Sequence, residues 1–329
     1  MEQLIKIPKA ELHRHLDGSL RIETMIDLAK RNNISLPSLE INELKKALTI
    51  FTSIFTYNSF ITNSIERVVY EVCEDAYKDG ILYLEIRFAS ILHTKLGLTL
   101  TQVMEYVING INLAEKELNG FKCRLIVSGL RDLDPQIVYE MAQVAIKFQN
   151  HKVVAFDLAS RELNYPANLH LKSYQLIHQN YLKSTCHAGE ATDSNYIHDS
   201  IINCGVQRIG HGTRLFQDEN LLKYVRDCKI ALEICVTSNY QTKAVNSYKE
   251  HPLPLYFKFG IPVCICTDNT LMSNITLSEE LFRIQNLFNF TNDEIIKMIR
   301  NGFEYSFLTW PEKEEMLNNF DTFISNNKF

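Results

Sequence analysis

Two imidazoles and a carboxylate stand at alternate positions, His13, His15 and Asp17, directly behind an apolar lead-in of strand character. Side chains two apart on a strand share a face, so these three converge. Neutral imidazoles held on one rigid face are half of a divalent metal site, and histidine is the commonest side-chain ligand for zinc. An exposed polar strand end would read the same way, so the assignment turns on partners further along the chain. Polar residues close several later apolar runs: Asp157, then His187 with Ala188-Gly189-Glu190, then His211 between Gly210 and Gly212, then Thr237-Ser238-Asn239, then Thr267-Asp268-Asn269. Singly, a strand-end histidine is ordinarily a hydrogen-bonded structural residue and an aspartate before a helix an N-cap. Together, histidines and an aspartate at separate strand ends supply zinc with protein ligands and leave a position for water, the open arrangement of a catalytic site. Zinc brings the pKa of bound water towards about 7. Attack on an sp² carbon then needs a proton donor for the acceptor nitrogen and a group that orients the hydroxide. Glu190 and His211 are the candidates, and the glycines around His211 admit close approach.

The elements that must position these groups follow from the pattern of apolar runs. Runs of strand length recur at 81–88, 123–128, 153–158, 184–187, 208–211, 230–236 and 261–266, each followed by an amphipathic stretch of helix length. Hydrophobicity that is continuous rather than alternating marks strands buried on both faces, as in a parallel sheet. Counting the opening strand, about eight βα repeats result, which predicts a (β/α)8 TIM barrel of metal-dependent hydrolase type with a doubly wound open sheet as the alternative. The apolar spacing predicts a helix over 19–32 after a turn at Asp17-Gly18. A helical segment over about 44–70 is rich in aromatics, and burial in the core and a hydrophobic lid over a pocket are both open readings of it. No Pro/Gly/Ser linker or low-complexity stretch divides the chain, so residues 1–329 read as a single barrel domain.

Composition narrows the function classes. With 46% hydrophobic and 22% charged residues the 329-residue chain is of ordinary globular type. A formal net charge of −5, with no basic stripe, argues against nucleic acid as a partner. The N-terminal stretch has no basic segment followed by an apolar one, and no run approaches the roughly 18 apolar residues of a membrane span, so no membrane partner and a cytoplasmic location are expected. Eight scattered cysteines without Cys-x-x-Cys spacing read as small buried hydrophobes in a reducing compartment. Neither a dinucleotide-binding glycine fingerprint nor a phosphate-binding glycine loop follows any strand.

The chain resembles the adenosine deaminase family, bacterial-type branch. The resemblance lies in Pro8-Lys9-Ala10-Glu11-Leu12-His13-Arg14-His15-Leu16-Asp17-Gly18-Ser19, Cys186-His187-Ala188-Gly189-Glu190, Arg208-Ile209-Gly210-His211-Gly212, Glu233-Ile234-Cys235-Val236-Thr237-Ser238-Asn239 and Cys266-Thr267-Asp268-Asn269, in that family's order. It implies one zinc ion per chain held by His13, His15, His187 and Asp268, Glu190 as the acid that protonates purine N1, and His211 as the group that orients and helps deprotonate the zinc-bound water. It further implies substrate contacts from His15, Asp17 (towards the ribose), Ser160 and Asn269, and it favours the lid reading of the aromatic segment around Phe51, Ile54, Phe55 and Phe60. Two positions depart from the family's usual pattern: Asn269 stands where many members have the aspartate that holds purine N7, and Ser160 where many have the glycine whose N–H faces N3.

The reaction so implied is hydrolytic deamination of adenosine, and of 2′-deoxyadenosine, to inosine-type products and ammonia by attack at purine C6, with a small-molecule purine nucleoside as the binding partner. Asn269 and Ser160 keep other 6-aminopurine substrates open: aminodeoxyfutalosine, N6-methyl-AMP, a 5′-thio-nucleoside or adenine. A non-catalytic nucleoside-binding protein would have lost at least one essential group, and an amide or phosphoester hydrolase on this barrel would want a second metal or a bridging carboxylated lysine. The cytidine-type deaminase signature, His-x-Glu with Pro-Cys-x-x-Cys, does not occur. The ligand set alone also suits iron or manganese, and the oligomeric state has no signal in the sequence.

Overall fold

The computed structural model describes residues 1–31, 65–95 and 97–327. Eight parallel strands follow one another around a barrel in chain order: β1 (Lys9–His15), β2 (Ile81–Phe88), β3 (Lys122–Leu130), β4 (Val153–Ala159), β5 (Lys183–Ala188), β6 (Arg208–His211), β7 (Ala231–Ile234) and β8 (Val263–Ile265). The first and last strands meet through a single parallel bridge between Arg14 and Asp268. There the His15 N–H donates to the Asp268 carbonyl at 2.7 Å and the Asp268 N–H to the His13 carbonyl at 3.0 Å. This is the (β/α)8 barrel that the run of buried apolar segments predicts, and the open-sheet alternative falls away.

Helices cover the barrel because each carries one apolar stripe at helical spacing. Ile65–Lys78 buries Val68, Val69, Val72, Cys73 and Ala76, and packs on Leu100–Glu117, which buries Val103, Met104, Val107, Ile111 and Ala114. The two approach so closely that a Cβ on Gly110 would lie 2.7 Å from the Glu66 carbonyl oxygen. Thr99 and Gln102 cap the start of the second helix reciprocally, and the pairs Thr276/Glu279 and Thr291/Glu294 do the same for Leu277–Phe288 and Asn292–Glu304.

The barrel interior is not purely apolar. Glu85, Arg87, Arg208 and Glu233 are each fully buried there and pair across it: Arg208 bonds Glu85 at 2.5 Å and Glu233 at 2.7 Å, and Arg87 bonds Glu233 at 2.6 Å. At the opposite end from the site, the buried Lys9 ammonium donates to the carbonyls of Leu4 at 2.6 Å and Ile7 at 3.0 Å, and burial lowers its pKa to about 8.

Some boundaries differ from expectation. The seventh apolar run is strand only over Ala231–Ile234, and Val236–Gln241 is helix. Glu280 accounts for this turn, because its carboxylate accepts the Thr237 backbone N–H at 2.7 Å, satisfying a donor that the first turn leaves open. The eighth run narrows to Val263–Ile265, behind Pro262, which lacks a backbone N–H for the ladder. The first helix spans Ile22–Arg31. Of the aromatic segment at 44–70, residues 65–70 lie in the helix Ile65–Lys78, and Phe51, Ile54, Phe55 and Phe60 lie outside the described residues. No helix among the described residues is long and apolar enough to cross a membrane.

Candidate active site

Every chemically able side chain singled out in the sequence sits at or just beyond the C-terminal end of a strand, the face on which barrel enzymes build their sites. His13 and His15 project from β1, His187 from β5 and His211 from the last residue of β6, while Asp268 follows β8. The His15 Nε2 lies 3.3 Å from Asp268 Oδ1 and 3.1 Å from His187 Nε2, and the His13 Nε2 lies 3.6 Å from the same Asp268 oxygen. The ring centres of His13 and His187 are 4.6 Å apart, and those of His13 and His211 are 4.9 Å apart. Two overlapping triads of ligand atoms, His13/His187/His211 and His13/His15/Asp268, each fall within 4.8 Å.

The outer partners of these groups decide which atoms face inward. Glu233 accepts from His13 Nδ1 at 2.8 Å, which places the ring proton there and leaves Nε2 as a bare lone pair. That Nε2 is buried and has no hydrogen-bond partner among the described residues. Asp157 does the same for His187, at 3.1 Å from Nδ1. Ser238 donates to Asp268 Oδ2 at 2.6 Å, turning Oδ1 towards the histidines. An orphaned imidazole nitrogen among two further imidazoles and a carboxylate is a donor set that fits a divalent first-row metal.

Protonation follows the same geometry. Burial holds His15 and His187 below the usual imidazole range although Asp268 and Asp157, respectively, pull the other way. For His13, burial and Arg87 push down, and the nearby carboxylate of Asp268 together with the bond to Glu233 outweighs them. Burial alone would raise the carboxyl of Asp268, yet His13 and His15 hold it well below the carboxylate range. Glu190 behaves oppositely. Although a fifth of its side chain is exposed, burial first, then the charges of Asp268 and Glu162, lift its pKa to about 7. Its Oε2 lies 3.5 Å from His211 Nε2, and its Oε1 accepts from Asn239 at 3.2 Å and from the Thr242 hydroxyl at 2.9 Å.

Three of the residues singled out in the sequence are among the ten described non-glycine residues with positive φ. His211 and Asp268 both hold φ near +64° and Ser160 holds +78°, a region that side chains with a Cβ rarely enter. Asp17 is buried and bonded to His93 Nε2 at 2.7 Å. Asn269 donates its amide N–H to Asp268 Oδ1 at 2.7 Å, and its Oδ1 lies where a Cβ on residue 18 would stand, 1.7 Å away. Gly18 is therefore required by the side chain of Asn269. Ser160 is exposed beyond β4, apart from the imidazole cluster.

Several residues of the site had no role in the sequence reading. Glu233 and Arg87 lie within strands, where a charge in an otherwise apolar run is the available signal. Asp157, at a strand end where an aspartate ordinarily caps a helix, is a buried partner of His187, Arg87 and Ser128. His93 and His251 lie outside the strands and carried no pattern.

A profile of the family described as Adenosine deaminase matches residues 8–323. A probable adenosine deaminase of Dictyostelium discoideum is 44% identical over 319 residues, covering 93% of this chain, which spans 41% of that protein's length. The adenosine deaminase of Clostridium acetobutylicum is 37% identical over 332 residues, covering 97% of this chain and 99% of that one. The crystal structure of an adenine deaminase from Arthrobacter aurescens superposes with a TM-score of 0.90 at 24% identity, covering 97% and 99% of the two chains, and shares the fold. This chain belongs to the adenosine deaminase family.

Proposed function

We infer that the chain hydrolyses the exocyclic C6–N bond of adenosine, and of 2′-deoxyadenosine, releasing ammonia and leaving the inosine-type product. The observation that carries this reading is the pairing of Glu190, a carboxyl lifted to about 7, with His211 3.5 Å away at the rim of the imidazole cluster. A carboxyl so placed is still protonated near neutral pH, and can give its proton to purine N1 as water adds at C6. Protonation at N1 weakens the ring's aromatic hold on its electrons at C6; the proton given up by the attacking water passes to the amino group, and collapse of the adduct expels it as ammonia. His211 faces the same space and holds the attacking oxygen in line.

His13, His15, His187 and Asp268 would together hold one zinc ion per chain. Such a cation supplies Lewis acidity, bringing the pKa of water towards about 7. Asp17, held by His93, would take the ribose hydroxyls, and His15, beside Asp268, the substrate edge above β1. The Ser160 backbone N–H would face purine N3. An amide nitrogen carries two hydrogens, so the bond from Asn269 to Asp268 leaves its second N–H for purine N7. Eight free cysteines, seven of them buried, fit the reducing compartment of a cytoplasmic enzyme.

The test is to incubate metal-analysed protein with adenosine and follow ammonia release and the ultraviolet change to inosine. Metal-replete protein that turns over no 6-aminopurine would overturn the reading. Ser160, a serine in a backbone conformation that suits glycine, favours a second reading in which another 6-aminopurine, adenine or a 5′-substituted nucleoside, is the preferred substrate. Relative kcat/KM across such a panel separates the two, since a site that hydrogen-bonds a ribose rejects analogues lacking it by large factors.

A further inference from the structure

Behind Glu190 and His211 lies a chain of hydrogen bonds whose direction is fixed from one end. The backbone N–H of Leu253, which can only donate, gives its hydrogen to His251 Nδ1 at 3.1 Å. Nδ1 is therefore the unprotonated nitrogen, and the neutral ring carries its hydrogen on Nε2. Burial, with no charged partner to oppose it, lowers the pKa of this imidazole to about 3, so the neutral ring persists. His251 Nε2 lies 3.2 Å from Asn239 Oδ1 and donates to it. The two faces of the Asn239 amide are thereby distinguished: oxygen towards His251, nitrogen towards the cleft.

That nitrogen is placed against both proton-handling groups. Asn239 Nδ2 lies 3.0 Å from His211 Nδ1 and 3.2 Å from Glu190 Oε1. An amide nitrogen has two hydrogens and accepts none, so His211 Nδ1 is left bare and the neutral His211 ring holds its hydrogen on Nε2, the side facing Glu190 and the cleft. Glu190 Oε1 already accepts from Asn239 and from Thr242. When Glu190 is protonated, its hydrogen is left to Oε2, the oxygen nearest His211. All three side chains of the relay, His211, Asn239 and His251, are buried, which holds the arrangement in register.

We propose that His251 is a positioning residue that, through Asn239, directs the protons of Glu190 and His211 onto the two atoms facing the substrate. Each group then presents a donor: Oε2–H of Glu190 for the purine nitrogen, and Nε2–H of His211 to hold the incoming oxygen in place, so that His211 orients this oxygen rather than deprotonating it and the water's own proton passes on to the departing amino group. If the amide were turned over, its oxygen would confront Glu190 Oε1 and require the hydrogen of His211 on Nδ1. The acid would lose a donor that supports its carboxylate, and the imidazole would face the cleft with a lone pair.

The kinetic arm of the test rests on the deaminase reading, whereas the spectroscopic arm does not. In the metal-loaded wild-type protein, isotope-edited nitrogen NMR of the His211 ring should show a bare Nδ1 and a protonated Nε2. A ring protonated at Nδ1 overturns the proposal whether or not the protein is active. His251→Phe keeps a ring but removes the donor to Asn239, and His251→Gln places an amide N–H near the former Nε2. The expected outcome is that kcat falls about ten- to hundredfold in His251→Phe while KM changes less than about threefold, with most of the loss recovered in His251→Gln. The His211 signal should change tautomer in the Phe variant and not in the Gln variant. Equal losses in both variants that follow their melting temperatures, with His211 unchanged, would reduce His251 to a packing residue and overturn the proposal.

Discussion

Asp157 brackets the outer nitrogen of His187, with Oδ1 at 3.2 Å and Oδ2 at 3.1 Å from Nδ1, while Arg87 holds the same carboxylate at 3.3 Å from behind. The carboxylate fixes the ring's tautomer and raises the electron density on the nitrogen that faces inward. Asp157→Asn keeps the shape and removes the charge. Its metal affinity should fall about ten- to hundredfold, measured by competition with a chelator of known affinity; unchanged affinity would show that His187 does not ligate.

Glu190→Gln should separate catalysis from binding. The amide keeps the size of the carboxyl and cannot deliver a proton, so kcat should fall by about a hundredfold or more, while binding of a ground-state purine nucleoside, followed by calorimetry, changes little. Loss of nucleoside binding in parallel with kcat would mean that Glu190 organises the pocket rather than the proton.

The raised pKa of Glu190 also fixes a pH dependence, and its sign follows from linkage. The folded protein binds this proton more tightly than the unfolded chain, whose value is about 4.5, so the associated stability is complete below that pH and is lost as pH rises to about 7. Across that window the loss is about 3 kcal/mol. Comparing wild type with Glu190→Gln in denaturant at several pH values should show this slope in the wild type and its disappearance in the variant. In the same direction, kcat should decline as pH climbs through about 7 and the acid is deprotonated.

Ser160 holds φ at +78° without the freedom of glycine. Ser160→Gly should relieve about 1 kcal/mol of backbone strain, partly offset by the extra entropy of the unfolded chain. The denaturant midpoint should rise slightly, and turnover of bulkier purines should rise with it if the hydroxymethyl group narrows the pocket. A fall in the midpoint would place the hydroxyl in a contact that stabilises this turn.

The strand-end residues were legible because a polar side chain at the end of a continuous apolar run stands out, and His187, His211 and Asp268 each do. Their convergence was not contained in any one run; it depended on reading the runs as a barrel, whose topology brings the ends together. Glu85, Arg87, Arg208 and Glu233 sent a similar signal from within or at the start of strands, but which acid meets which base is set by the stagger of neighbouring strands, and that has no trace in linear order. Asp157 ends its run as the other strand-end residues do, and only the neighbouring strands show that it partners His187 rather than capping a helix. His251 had no pattern at all: it lies beside Pro252 in a connecting segment, and only the direction of the Leu253 N–H reveals its part. The helix at Val236–Gln241 replaced an expected strand end because Glu280, more than forty positions away, supplies the acceptor its first turn lacks.

The bridge between Arg14 and Asp268 carries one more implication. Thr267 donates its backbone N–H to Glu11, 256 positions earlier, at 2.8 Å, and Asp268 follows it into the site. Contacts of such long range form late, because the intervening chain must be ordered before they are gained. A partly synthesised or partly folded chain would thus hold the three proposed ligand imidazoles without the carboxylate proposed to complete the set, and would bind a cation weakly. For the metal site proposed above, capture of a cation would then report completed folding, and its release should be among the first events when the barrel begins to open at this seam.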